Sequence, residues 1–434
     1  MDEDIRDFFQ SMADELRASP ATPSDILLRR VRRRRLRTVA VAFLGVAILA
    51  GGALGGIRAF GGVHRSTPAQ KGCSQGWTEL HNPAASLNGY LGAIAGTSPE
   101  DLWAVGSVIG HPSYPLSEHW DRDRWSPVSS PRLPGAGLAS VAVVSGTDVW
   151  AVGDDYGGKS SRTLVEHWDG AKWSVVPSPN LVSPTWKDNW LSAVAASSAS
   201  DVWAVGTTTD GGQEYRPLIE HWNGTAWTLS PVPDGGSAPS SLSGVDVVAP
   251  DDVWAVGQRA VGQARFGFTQ FPLVMHWDGS AWTVASAPEA DGHSGGLSGV
   301  DGLSAKDVWA VGSAFDQSRD RVIPNILHWD GSSWTLVTDL PSALPYGLEA
   351  IDAVGPNDVW AADKGVSYAY ALHWDGRTWS LIAPPSGPIK GGRLAGIVAF
   401  PSGQAVAVGS RSVESGMSPV AVQLCSSAAS GRPG

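Results

Sequence analysis

Cysteine is almost missing. A chain of 434 residues carries two, Cys73 and Cys425, one near the start of its long C-terminal part and one near the end. Charge is sparse as well: Asp, Glu, Lys and Arg make up 17% of the chain, and lysine occurs 7 times against 24 arginines. With 52 glycines and 30 prolines, that composition suits many short strands and tight turns rather than long helices. The sequence also reads as lacking a nucleophile elbow, a phosphate-binding glycine loop and a cluster of metal ligands, so no cofactor and no metal is indicated. The length admits two or three average domains or one large all-β domain.

One long apolar run stands out. Residues 38–57, TVAVAFLGVAILAGGALGGI, hold no charge, and the preceding LLRRVRRRRLR has seven arginines between Arg29 and Arg37. About 20 apolar residues suffice to cross a ~30 Å hydrocarbon core as a helix. A basic flank keeps its side of such a helix in the cytoplasm. The expectation is a single-pass anchor with a cytoplasmic N-terminus and an extracytoplasmic C-terminal part. The alternative is a cleaved signal peptide, but the run exceeds the usual h-region of ~7–15 residues and no clear cleavage motif follows. Residues 1–58 carry 10 basic and 7 acidic side chains, and the remainder carries 21 and 35. An acidic exterior part argues against a nucleic-acid partner, and the arginines fit topology and anionic lipid headgroups.

Beyond residue 58 the chain repeats. DLWAVG begins at Asp101, DVWAVG at Asp148, Asp201, Asp252 and Asp307, DVWAAD at Asp358, and a degenerate QAVAVG at Gln404. An apolar stretch opens each unit, at Leu91, Leu138, Leu191, Leu242, Leu297, Leu348 and Leu394. Six units continue into HW followed by a tryptophan five residues later, as in HWDGSAW. Residues 242–287 divide into four strands, a to d, with an Asp-Gly hairpin between c and d. Units of about 50 residues with four strands each are the pattern of β-propeller blades. A linear solenoid would need capping repeats, and none is visible.

Seven a strands and seven b strands are present, but only six c–d hairpins. The last unit stops at SPVAVQLC, while CSQGWTEL, before the first unit, aligns with DGSAWTVA. Strand 75–80 is therefore expected to complete the last blade. Cys73 and Cys425 each stand where the other hairpins have aspartate, and they are expected to form a disulfide in an oxidising exterior. The predicted organisation is a cytoplasmic amphipathic and basic segment 1–37, a transmembrane helix 38–57, a flexible linker 58–72, an all-β seven-bladed propeller of four-stranded antiparallel blades over 73–425, and a disordered tail 426–434.

From Trp77 to about Cys425 the D-V-W-A-V-G…H-W-D-G-x-x-W units resemble a family of bacterial exported β-propellers. The layout is similar to kelch and galactose-oxidase propellers, although the kelch double glycine is missing. W-D-G-x-x-W also resembles part of the Asp-box of sialidases, without its leading Ser/Thr. Neither likeness carries an activity over.

In an antiparallel blade the a–b and c–d turns lie on one face, and the b–c and d–a loops on the other. The first set is short and uniform, the second variable, so the second is the expected binding face. Of 21 tryptophans, 18 belong to the six complete units and Trp77 to the seventh, where they pack as core. Trp186 and Trp190 remain, in SPTWKDNW. The repeat histidines, such as His119 and His167, read as structural, and the repeat aspartates as turn residues. Candidate ligand-binding residues are therefore the unrepeated Tyr156, Trp186, Lys187, Asp188, Trp190, Tyr215, Arg216, Phe266, Arg319 and Arg321. Mixed charges and aromatics suit a cell-envelope glycan or protein, or equally an ordinary solvated rim.

In DEDIRDFFQSMADELRAS, residues Ile5, Phe8, Phe9, Met12 and Leu16 fall on one helical face, and a possible cytoplasmic partner docks through residues 1–20. The segment is similar to the cytoplasmic stubs of membrane proteins associated with extracytoplasmic-function sigma factors. Residues 1–58 hold no Cys or His, which excludes a zinc-type anti-sigma domain. The leading expectation is a non-enzymatic, membrane-tethered binding or sensing protein. A surface glycan hydrolase or lyase on a propeller scaffold is the alternative, and a structural envelope protein the third.

Overall fold

A computed structural model describes residues 76–425, apart from 184–186, 212–213, 234–238, 265–266, 290–292, 342–343, 345, 364, 366–368 and 384–390. The segments 1–37, 38–57 and 58–72, Cys73 and the tail 426–434 lie outside the described residues.

The described chain begins with β1 (Gly76–Leu80). Blade 1 is β2 (Gly89–Ser98), β3 (Asp101–Val108), β4 (Tyr114–Asp121) and β5 (Trp125–Val128). Blade 2 is β6 (Ala136–Ser145), β7 (Asp148–Asp155), β8 (Arg162–Trp168) and β9 (Trp173–Val175). Blade 3 is β10 (Asp188–Ser198), β11 (Asp201–Thr209), β12 (Tyr215–Trp222) and β13 (Trp227–Leu229). Blade 4 is β14 (Ser240–Ala249), β15 (Asp252–Ala264), β16 (Gly267–Trp277) and β17 (Trp282–Ala285). Blade 5 is β18 (His293–Ser304), β19 (Asp307–Asp316), β20 (Arg321–Trp329) and β21 (Trp334–Leu336). Blade 6 is β22 (Leu348–Gly355), β23 (Asp358–Asp363), β24 (Ala371–Trp374) and β25 (Trp379–Ile382). Blade 7 is β26 (Gly392–Phe400), β27 (Gln404–Val413) and β28 (Gly416–Cys425), and β1 is its fourth strand. All seven sheets are four-stranded and antiparallel.

The first strands of successive blades pack on one another right round the ring, ending with β26 on β2, so they surround the axis. Alternate residues of each second strand serve two different cores. On β7, Val149 and Ala151 join the core shared with blade 1, while Trp150 and Val152 join that shared with blade 3. Full burial of such side chains contributes about 1.5–3 kcal/mol each. This explains why these strands are apolar on both faces.

The repeat glycine has a steric cause. A Cβ at Gly153 would lie 2.1 Å from the Gly137 carbonyl oxygen, inside the β6–β7 pair. Blade 6 has Asp363 at this position, buried and accepting backbone N–H groups of Gly365 and Tyr370.

The hairpin aspartates cap their own turns: Asp169 Oδ1 accepts the N–H groups of Ala171 and Lys172, both at 2.9 Å. The next residue needs positive φ, and Gly170, Gly224, Gly279, Gly331 and Gly376 supply it at +88 to +93°. Blade 1 has Arg122 there at φ 80°. A side chain in this region costs on the order of 1 kcal/mol. Arg122→Gly is expected to stabilise the fold by about 0.5–1 kcal/mol despite losing an exposed ion pair with Glu100. Gly170→Ala, whose Cβ would meet Thr147 at 2.8 Å, is expected to cost about 1–2 kcal/mol. Urea unfolding of the two variants should shift the midpoint in opposite directions.

Candidate functional site

The turn face repeats one arrangement. In six blades a histidine of the third strand binds the aspartate that opens the second strand, Nε2 to Oδ1, at 2.7–2.9 Å. The same imidazole packs on the tryptophan of the second strand, with ring centroids 4.0–4.5 Å apart. In blades 3, 5 and 6 the indole N–H also donates to that aspartate. The repeat aspartates are thus acceptors across the sheet, whereas sequence alone suggested a local turn role.

Glu118, Glu166 and Glu220, each adjacent to one of these histidines in its strand, are fully buried. Glu118 accepts from Asn82 Nδ2 at 2.8 Å and Glu166 from Ser130 Oγ at 2.9 Å, both on links arriving from the preceding blade. Glu220 is approached in the same way by Ser178, on the link from blade 2. Burial pushes the three carboxyls up, to about 7, about 7 and about 8 respectively.

On the opposite face, unrepeated side chains meet at the channel mouth. The position before each repeat leucine is Gly137, Ser241, Gly296 or Gly347 in four blades, but Tyr90, Trp190 and Arg393 in the others. The Arg393 guanidinium lies over the Tyr90 ring, 5.9 Å from its centroid. Ser107, buried beside Gly137, hydrogen-bonds the Tyr90 phenol. Asp154 is buried at the end of β7 and bonds Tyr156 and Ser161. Burial lifts its carboxyl to about 7, against those hydrogen bonds. Burial, then the Asp154 charge, raises the Tyr156 phenol, which also feels Tyr90 and Asp188. Asp188 Oδ1 accepts the Ser161 N–H at 2.8 Å. Blades 7, 1, 2 and 3 therefore contribute to one constellation.

The fold resembles several solved structures. YCF48 bound to D1 peptide shares 15% identity at a TM-score of 0.51, covering 83% of this chain and 100% of that one. A PL25 ulvan lyase bound to -[GlcA(1-4)Rha3S]- shares 10% at 0.50, covering 77% and 91%. The fucose-specific lectin from Aleuria aurantia shares 15% at 0.44, covering 69% and 97%. These are likenesses of fold. No protein-family model matches the chain, and no curated protein matches it.

The sequence-derived candidates lie at several places around the ring. Tyr156, 46% exposed, and Asp188 come together. Lys187 is exposed next to Asp188. Trp190 belongs to β10 rather than to the loop before it and is buried, with 8% exposure. Tyr215 and Arg216 open β12, half-buried and exposed respectively. Arg319 is exposed and bonded to Asp316 Oδ2 at 2.7 Å, and Arg321 opens β20 on the surface. Trp186 and Phe266 lie outside the described residues. Tyr90, Ser107, Ser161 and Arg393 were not among the candidates. For Tyr90 and Arg393 the signal was the departure from a small residue before the repeat leucine, whereas Ser107 and Ser161 carried none.

Two motifs overlooked in the sequence match by letter alone. Residues 153–160, GDDYGGKS, fit the phosphate-loop spacing, and residues 292–296, GHSGG, fit the nucleophile elbow. The first joins β7 to β8 with no helix after it and carries two aspartates. In the second, Ser294 pairs with the Gln270 backbone in a strand. Neither has the strand–turn–helix context its chemistry needs. No group of three or more His, Cys, Asp or Glu among the described residues could hold a metal. A cavity of about 560 Å³ opens between blade 7 and the link 81–86, where Arg411 and Glu79 satisfy each other at 3.0 Å.

Proposed function

We propose that this chain is a membrane-tethered extracytoplasmic binding protein whose variable face engages a glycan or protein of the cell envelope. The observation that carries the proposal is the convergence of unrepeated polar and aromatic side chains at the channel mouth, opposite the uniform His–Asp–Trp face. Polar groups converging at a concavity on a rigid scaffold are what ligand sites are built from. The fold likeness to a peptide-bound and a saccharide-bound protein agrees with this use.

Tethering rests on the apolar run 38–57 and its basic flank. The start of β1 and the end of β28 share the turn face, since Gly76 pairs with Cys425. A linker entering there turns the variable face outward. In the same proposal Cys73 and Cys425 form a disulfide across the cut ring, and the segment 1–37 contacts a cytoplasmic partner such as a sigma factor. Cys425 is buried and its thiol is not free.

Glycan-array and peptidoglycan binding by the full chain is expected, as is loss of that binding on Tyr156→Ala. No binding to any glycan or envelope protein would overturn the proposal. Thiol titration of the folded, unreduced protein should find none free, and two free thiols would refute the disulfide. Pull-down with residues 1–37 tests the cytoplasmic partner.

A second possibility has its own support. Asp154, with a carboxyl at about 7 beside Tyr156, has the proton affinity of a general acid. Turnover of a bound glycan, abolished by Asp154→Asn, would make the protein a glycan hydrolase or lyase.

A further inference from the structure

Three arginines of the variable face are held in ion pairs. Arg259 pairs with Glu289, Arg319 with Asp316 and Arg411 with Glu79, at 2.7–3.0 Å. Arg393 is half-buried and, among the described residues, has no ion pair. Its Nε is buried with no hydrogen-bond partner. Asp363 feels its charge, but this carboxyl is fully buried, accepts backbone N–H groups and is held towards its neutral form by burial. A cation withdrawn from water without a counter-charge is costly, and guanidinium takes carboxylates in two-point contact. On one side of Arg393 lies Tyr90. Beyond it lies Tyr156, exposed to solvent and with its hydroxyl fixed by Asp154.

We propose that Arg393, Tyr90 and Tyr156 form a subsite for a carboxylate-bearing sugar unit of an acidic glycan. Arg393 holds the carboxylate, and the Tyr156 ring supplies the flat apolar surface on which a pyranose packs. Asp154 opposes such an anion only weakly, because it is buried behind the Tyr156 hydroxyl, and burial raises its carboxyl to about 7. Three of the corresponding positions in other blades are glycines, and Ser107, Gln258 and Ser313 of the preceding blades pack over them, so no side chain like Tyr90 or Arg393 projects there. The subsite rests on the variable face being a glycan-binding face.

The test uses the full chain in detergent and three probes: an oligomer of glucuronic acid, the same oligomer with its carboxyls reduced to alcohols, and a short peptide with a free C-terminal carboxylate. Calorimetry should show the acidic oligomer binding at least about tenfold more tightly than the reduced one. Arg393→Ala should remove that difference, and Arg393→Lys, which keeps the charge but not the two-point contact, should retain part of it. Unchanged melting temperatures would show that both variants fold. Equal binding of the two oligomers, or acidic binding unaffected by Arg393→Ala, would overturn the subsite while leaving glycan binding standing. Arg393-dependent binding of the peptide alone would overturn the sugar assignment. No binding of any glycan would fail the broader proposal as well.

Discussion

Glutamine in place of Glu166 is expected to stabilise the propeller by about 3 kcal/mol at pH 8 and to change little at pH 4. Folding lifts this carboxyl from an ordinary 4.5 to about 7, because burial disfavours its charged form. Below pH 4.5 the folded and unfolded chains both hold the proton, and the site costs nothing. Between about 4.5 and 7 the unfolded chain releases it while the folded chain keeps it, so stability falls as pH rises. Above 7 the penalty is constant. Glutamine keeps an acceptor for Ser130 Oγ and has no proton to lose. Glu118 and Glu220 follow the same course, the latter up to about pH 8. The triple glutamine variant should therefore show a much flatter dependence of unfolding free energy on pH than the parent. Urea titrations at pH 4, 6 and 8 read this directly. A variant less stable than the parent at pH 8 would refute the assignment.

Trp150→Ala should cost about 3–5 kcal/mol. Its indole is 2% exposed and meets His167 at 4.3 Å, Trp222 at 4.9 Å and Trp227 at 5.5 Å between ring centroids. These partners come from two blades, so one truncation opens a cavity between blades and releases the imidazole from its stack. The His167–Asp148 bond at 2.8 Å then loses the packing that orients it. By contrast Val182, 74% exposed, should tolerate alanine within about 0.5 kcal/mol. A Trp150→Ala loss no larger than that of Val182→Ala, measured by thermal unfolding, would contradict the packing role.

Blade number was legible because one strand recurs nearly unchanged from Asp101 to Asp358, and because Trp77 matched the missing fourth strand. Aspartate's partner was not legible. Asp148 and His167 are 19 residues apart, and only the strand register brings them into one bond. Trp190 looked like a loop residue because it lies outside the repeated letters, yet it continues β10 inward. Tyr90 and Arg393 are separated by 303 residues and become neighbours only because the ring closes. Spacing cannot reveal such a pair. The contrast with glycine and serine at the matching positions of other blades could have raised it.

The closing blade also imposes an order in time. β1 is synthesised before every other strand of the ring, but its partner β28 comes from the far end of the chain, with Leu80 set against Ala421. Until that end emerges, the earliest strand has nothing to pair with, and the half-built ring carries an open hydrogen-bonding edge. Joining segments so remote in sequence is slow, because the entropy of bringing them together is lost before any strand pairing rewards it. β28, the last strand of the ring to be made, thus acts as the catch that turns an open chain of blades into a closed, edge-protected ring.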